Sequence, residues 1–290
     1  MIWAVQRFSQ RKCVDDVKTR TIRNPENESS QNLEETILIC EKAAPEEVLR
    51  YALERNISQI VQETSPHQEI EVKSSMAMMD APASFFDFPL ATILTPEKVT
   101  VQSEKTLRQL EIPFFKSDEK EAILDSIGEY MRTLAGSGTL ESDVRLVADE
   151  LFTNAIFNAG FRTIPGGANR ADSIILDQKQ TCRLLVGSKD DRLVVVCEDL
   201  FGTLNILKLL NRIRKCYEEG AHNSITWDQP GAGIGSYLVF KSCMSVYYAV
   251  QENERTMVAC VFPLRKGMRA RSEIGKGVHF VNVSKKKDKA

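Results

Sequence analysis

An α/β fold is predicted by three features of the chain: a strand–helix–strand order between Thr36 and Val61, two consecutive amphipathic helices from Ser117, and strands alternating with helices from Thr181 to Pro263. The stretch Asn24 to Asn32 is rich in Asn, Ser, Glu and Pro and reads as a loop. The apolar run Thr36 to Cys40 follows it as a strand. Pro45 opens a helix in which Val48, Leu49, Ala52 and Leu53 recur at helical spacing, and Ile57 to Val61 resumes a strand. This α/β unit fits a degenerate receiver-like domain and a plain structural domain equally well, and no aspartate stands at a strand end as a phosphoacceptor. Pro66, Pro82, Pro89, Pro96 and Pro113 interrupt the pattern after it, so the chain up to Phe115 reads as irregular.

From Ser117 the periodicity sharpens. Ile123, Ile127, Tyr130, Met131 and Leu134 form one apolar stripe, closed by Gly136 and Gly138. A second helix starts at Glu141 or Ser142, and Val144, Val147, Ala148, Leu151, Ala155 and Ile156 are its buried face. Glu150, Asn154 and Asn158 recur every fourth residue off that stripe, so they project from one side in consecutive turns. Thr181 to Val186 and Arg192 to Glu198, joined by the polar turn Gly187 to Asp191, predict a hairpin. A helix from Leu204 to Tyr217, a Pro-Gly-rich loop at Asp228 to Gly235, a helix from Ser236 and strands at Ser245 to Gln251 and Thr256 to Pro263 complete the order.

The composition narrows the function classes. With 290 residues, two modest domains each able to bury a core are expected, divided as 1–115, 116–267 and a basic tail 268–290. A hydrophobic share of 42%, a charged share of 27% and a net charge of -2 describe an ordinary globular chain with no global bias toward nucleic acid. No apolar run is long enough for a membrane span, and Met1 to Lys12 has no apolar core ahead of a cleavage site, which predicts a cytoplasmic protein. The cysteines, at 13, 40, 182, 197, 216, 243 and 260, include no Cys-x-x-Cys pair and read as buried free thiols. His67, His222 and His279 lack ligand spacing, so zinc is not expected.

Three separated segments carry candidate chemistry: Glu150-Leu-Phe-Thr-Asn154-Ala-Ile-Phe-Asn158-Ala159, the strand end Val194 to Gly202 with Glu198-Asp199-Leu200-Phe201-Gly202, and Gly231-Ala-Gly233-Ile-Gly235-Ser-Tyr-Leu-Val-Phe. Each is commonplace by itself, as a solvated helix face, a capped strand and a loop. Glycines at alternate positions do let a backbone approach phosphates, and a following helix offers free N–H groups and a dipole that favours anions. The late position of this glycine run in the chain argues against a dinucleotide fold.

In this order and context the segments resemble the conserved boxes of the GHKL, or Bergerat-fold, ATPase superfamily, closest to its anti-sigma-factor serine/threonine kinases, over about residues 117–264. The resemblance implies a two-layer α/β sandwich with a mixed sheet backed by helices, and the cofactors ATP and Mg²⁺. It makes Asn154 the Mg²⁺ ligand, Glu150 the general base and Asp199 the adenine-recognition residue, with Asn158, Gly202, Arg212, Gly231, Gly233 and Gly235 lining the nucleotide site. The chain departs from the pattern at Asn158, where the family usually has His, and at Phe201 and Thr203, where it has glycines. Lys208, Arg212 and Lys215 share a face of the helix where the resemblance places the ATP lid. The connection Ile164 to Asp177 is longer than the family's.

What the resemblance implies is a bacterial signalling regulator that phosphorylates a protein on Ser or Thr, with an anti-sigma antagonist or a sigma factor as partner, no direct contact with nucleic acid or membrane, and a homodimer as one assembly. The histidine-kinase variant needs a phosphoacceptor on a preceding dimerisation helix, and His67 in Ser65-Pro66-His67-Gln68-Glu69 lacks that setting. The alternative is a non-catalytic interaction module, nucleotide-gated or nucleotide-free, for which Asn158 and the altered glycines speak. The basic residues after Leu264 read as a solubilising end or a docking surface for acidic partners.

Overall fold

The computed structural model describes residues 18–21, 36–41, 43–163, 173–220, 234–264 and 274–283, with the side chains of 18–21 and 158–163 not included. The first half holds β1 (Lys18–Thr21), β2 (Thr36–Cys40), α1 (Pro45–Glu54), β3 (Gln59–Gln62), α2 (Gln68–Asp80), α3 (Pro82–Asp87), α4 (Pro89–Leu94), α5 (Val101–Thr106) and β4 (Arg108–Phe114). The second holds α6 (Lys120–Arg132), α7 (Glu141–Thr163), β5 (Cys182–Lys189), β6 (Arg192–Asp199), α8 (Ile206–Glu219), α9 (Ile234–Ser242), β7 (Ser245–Gln251), β8 (Arg255–Pro263) and β9 (Gly277–Val283). The fold is α/β with one mixed sheet of order β1-β2-β3-β9-β7-β8-β6-β5-β4. Strands β1 to β3 are parallel, β9 runs antiparallel to β3 and parallel to β7, and the remaining pairs are antiparallel.

The sheet's apolar alternation explains its layers. Leu193, Val195 and Cys197 of β6 face the core under α1, α6, α7, α8 and α9, whereas Val194 and Val196 face the one under α2, α3 and α4. A strand buried on both faces reads as a continuous apolar run, as Val194 to Cys197 does. The stripes read on α6 and α7 are the packed faces: Ile123, Ile127 and Met131, and Val144, Val147, Ala148, Leu151, Ala155 and Ile156, are all buried. Phe114 and Phe152, with ring centroids 4.6 Å apart, fix the end of β4 to the middle of α7.

Three stretches differ from the sequence reading. The helix expected at Ser117 begins with a 3-10 turn, Ser117–Glu119, before α6. The region read as irregular up to Phe115 holds α2 to α5 and β4. Gly277–Val283, read as basic tail, is a strand between β3 and β7, so one sheet runs across the boundary placed at residue 115. Buried polar contacts hold it there. Gln59 Nε2 donates to Phe280 O at 3.2 Å, which leaves Gln59 Oε1 as an acceptor 3.1 Å from His279 Nδ1 and assigns the ring proton to Nδ1. The His279 ring stacks on Tyr247 at 4.2 Å, and burial pushes its pKa down to about 3, so it stays neutral.

Part of the long connection before β5 is also ordered against the core. Ile174 and Leu176 are buried, Ile175 bridges to Lys116, and Leu176 N–H donates to Phe115 O at 2.8 Å. On the opposite face, Arg192 lies buried at the start of β6 and donates to Ile93 O and Leu94 O, both at 2.9 Å. These are carbonyls at the end of α4 that have no partner within the helix. Arg192→Leu is therefore expected to lose about 1–3 kcal/mol of stability, because it strands the buried Leu94 carbonyl and leaves Ile93 O only the Ser74 hydroxyl at 3.2 Å. Urea unfolding measures this, and a loss below about 1 kcal/mol would mean that water replaces the guanidinium.

Candidate functional site

The site expected from the sequence centres on α7, and two neighbouring elements bring their segments to its middle turns. Cys197, two residues before the end of β6, sits against the Leu151 carbonyl with its Sγ 3.7 Å away. From the other side comes the first turn of α9. A methyl group built on Gly235 would overlap the Glu150 carboxylate, so the glycine position is occupied by the acid of the first segment. The closeness of these two residues, remote in sequence, depends on Gly235 having no side chain.

Asn154 follows one turn after Glu150, and both are partly exposed at the edge of a helix whose inner face is sealed by Leu151, Phe152, Ala155 and Ile156. Asn158 belongs to the same helix, but its side chain lies outside the described residues, as do Gly231 and Gly233. Glu150 and Gly235 are thus brought together, and the rest of the glycine run is not described.

Asp199 ends β6 directly across from Thr256 of β8. Its Oδ1 accepts the Phe201 N–H at 3.0 Å, a local turn typical of aspartate. Burial of the carboxyl raises its pKa to about 6, only partly offset by the hydrogen bonds it accepts. Gly202 has φ 59, and a Cβ there would run into the backbone of the β7–β8 turn at residues 251–254. Asn253 N–H closes the contact by donating to Gly202 O at 3.1 Å. The tight turn is therefore made by Gly202 itself, while Phe201, where the resemblance expects a glycine, is buried and packs into the core below.

The basic residues read as lid candidates, Lys208, Arg212 and Lys215, are all exposed on α8. The helix is anchored from behind: Asn205 Oδ1 caps Lys208 N–H at 2.9 Å, and Arg214 pairs with Glu54 of α1 at 2.9 Å. Among the described residues, no cluster of three or more His, Cys, Asp or Glu is placed to hold a metal, and no helix is long and apolar enough to cross a membrane. Six described cysteines, 40, 182, 197, 216, 243 and 260, are buried and free.

No protein-family model and no curated protein matches the chain. Among solved structures, it is similar to the SiaB-SiaC complex from Pseudomonas aeruginosa, with 15% identity, coverage of 65% of this chain and 100% of that one, and a TM-score of 0.37.

The sequence reading missed one segment, Gly275-Lys276-Gly277, which meets the C-terminal end of the helix that carries Gly235. Its signal was the alternation of Val278 and Phe280 just behind it, the period of a strand rather than of a tail.

Proposed function

We propose that this protein binds Mg²⁺-ATP at the edge of α7 and transfers its terminal phosphoryl group to a Ser or Thr of a protein partner in a signalling pathway. The observation that carries the reading is the packing of Glu150 against Gly235, which unites the acidic helix turn with the glycine run that resemble two of the superfamily's boxes. ATP, when bound, supplies the phosphoryl group, and Mg²⁺ supplies charge neutralisation of the phosphates.

The residues fit such a group. Asn154 offers one neutral side-chain oxygen, and Mg²⁺ keeps most of its coordination for water and phosphate oxygens, so a single protein ligand suffices. The α9 N-terminus offers N–H groups and a dipole to an anion. Asp199, at the strand end, accepts from an exocyclic amine, and Glu150, one turn before Asn154, accepts the proton of the attacking hydroxyl. Arg212 and its neighbours, exposed on α8, would serve as the lid that contacts the terminal phosphate. An anti-sigma antagonist or a sigma factor is the partner class the reading favours, and an assembly of two copies is compatible with it.

The test is a titration of ATP with and without Mg²⁺ against the wild type and Asn154→Ala, followed by a kinase assay with Glu150→Gln. Asn154→Ala is expected to weaken only the Mg²⁺-dependent affinity, by about tenfold or more. Glu150→Gln is expected to keep binding and to lose about 10²–10⁴ in rate. Identical titration curves for wild type and Asn154→Ala would refute the site. A second reading, nucleotide binding without turnover, is favoured by the buried Phe201 at a family glycine position, and saturable binding with no phosphoryl transfer to any candidate partner selects it.

A further inference from the structure

Lys276 sits just before β9, in a stretch with no room for side chains on either flank. A Cβ on Gly275 would lie 2.6 Å from Gln62 Cγ, and one on Gly277 would lie 3.0 Å from Ser245 Oγ. The two glycines thus let the chain thread between the end of β3 and the start of β7. Gly277 N–H donates to Met244 O at 3.0 Å, and Lys276 O accepts from Gln62 Nε2 at 3.3 Å. The backbone is pinned on both sides.

From this fixed point the Lys276 ammonium reaches the end of α9, donating to Lys241 O at 2.7 Å and to Cys243 O at 2.5 Å. The last carbonyls of a helix have no partner within it, and they carry the negative end of its dipole. A cation there satisfies both needs. The other end of this nine-residue helix is the turn that holds Gly235 against Glu150. A helix this short moves as a rigid rod, so the clamp at its C-terminus also sets the position of its N-terminus.

We propose that Lys276 is a positioning residue for the phosphate end of the nucleotide site, acting through α9, and this rests on the reading given under Proposed function. The same chain of contacts ties the site to the first half of the protein. Gln62, which holds Lys276, also receives the Ala43 N–H at 3.1 Å ahead of α1, and α1 packs on α8. The nucleotide site is thereby coupled to the β2–α1–β3 unit, whose displacement would be felt at Gly235.

The experiment compares Mg²⁺-ATP with adenosine, which lacks phosphates and is read through Asp199 on β6, away from α9. Lys276→Met is expected to weaken Mg²⁺-ATP binding by about tenfold and adenosine by less than about twofold, while Lys276→Arg, which keeps cation and donors, restores most of the loss. Gly275→Ala, which keeps the ammonium but pushes its segment off Gln62, should give the same split in milder form. Equal losses for both ligands, or none for either, overturn the proposal. Hydrogen exchange supplies an arm independent of nucleotide: the α9 amides should lose about tenfold in protection in Lys276→Met and regain it in Lys276→Arg, with β6 unchanged. Unaltered α9 protection overturns the clamp whatever the ligands do, whereas a wild type that binds no Mg²⁺-ATP but shows this exchange pattern keeps the clamp on α9 and overturns both the nucleotide site and the positioning role assigned to Lys276.

Discussion

Gly202→Ala is expected to cost the protein about 2–5 kcal/mol, a large share of the ~5–15 kcal/mol that keeps a typical domain folded. Two penalties add. A left-handed φ of 59 strains any residue with a Cβ, and the new methyl would meet backbone atoms of Gln251, Asn253 and Glu254 rather than the yielding end of a side chain. Relief requires the β7–β8 turn to retreat, which breaks the Asn253 N–H bond to Gly202 O. Gly138 is the matched control, since a Cβ there meets nothing within 4 Å, and Gly138→Ala should change stability by no more than about 1 kcal/mol. Urea midpoints of the two variants measure the contrast. Similar midpoints would show that the turn at Gly202 is soft.

That glycine was legible in the sequence because an acidic strand end followed by Gly is a local signal. So were the hairpin of β5 and β6 and the buried stripes on α6 and α7, where period and burial coincide. What was not legible depended on partners far along the chain. Pro82 and Pro89 look like breakers in sequence, yet each opens a short helix, because proline's missing N–H costs nothing at a first helical position. Pro113 likewise argues against a strand, but β4 is the last strand of the sheet, where an edge tolerates it. In β9 the alternation of Val278 and Phe280 signals a strand, but its place between β3 and β7 comes from parallel pairing with β7 and from the His279 contacts with Gln59 and Tyr247, which its own seven residues do not encode. The site divides the same way. The family resemblance marks Glu150, Asn154 and Asp199 as candidates, but the contact of Glu150 with Gly235 and the reach of Lys276 to α9 are products of the folded sheet.

Asp199→Asn should move stability and nucleotide affinity in opposite directions. Burial raises the carboxyl pKa from 3.8 to about 6, so the native state holds this proton more tightly than the unfolded chain does. Stability contributed by the group is therefore fully present below pH 3.8, falls as pH rises through the window to about 6, and above that the ionised carboxylate costs the fold about 2–3 kcal/mol. Asparagine cannot ionise, yet its Oδ1 can still accept the Phe201 N–H that Asp199 accepts at 3.0 Å. The variant should accordingly be the more stable protein at pH 8 and match the wild type near pH 4, measured as melting curves across that range. A difference that is flat with pH would show that the carboxylate is solvated in the folded state. Under the proposed function, the same change removes the charged acceptor for the adenine amine and should weaken adenosine binding by about 10–100-fold at pH 8. Wild-type affinity for adenosine should also decline below pH 6 as Asp199 takes up its proton, while that of the variant stays level. If the variant gained stability with adenosine affinity intact, Asp199 would be a strained cap and the adenine pocket would have to lie elsewhere.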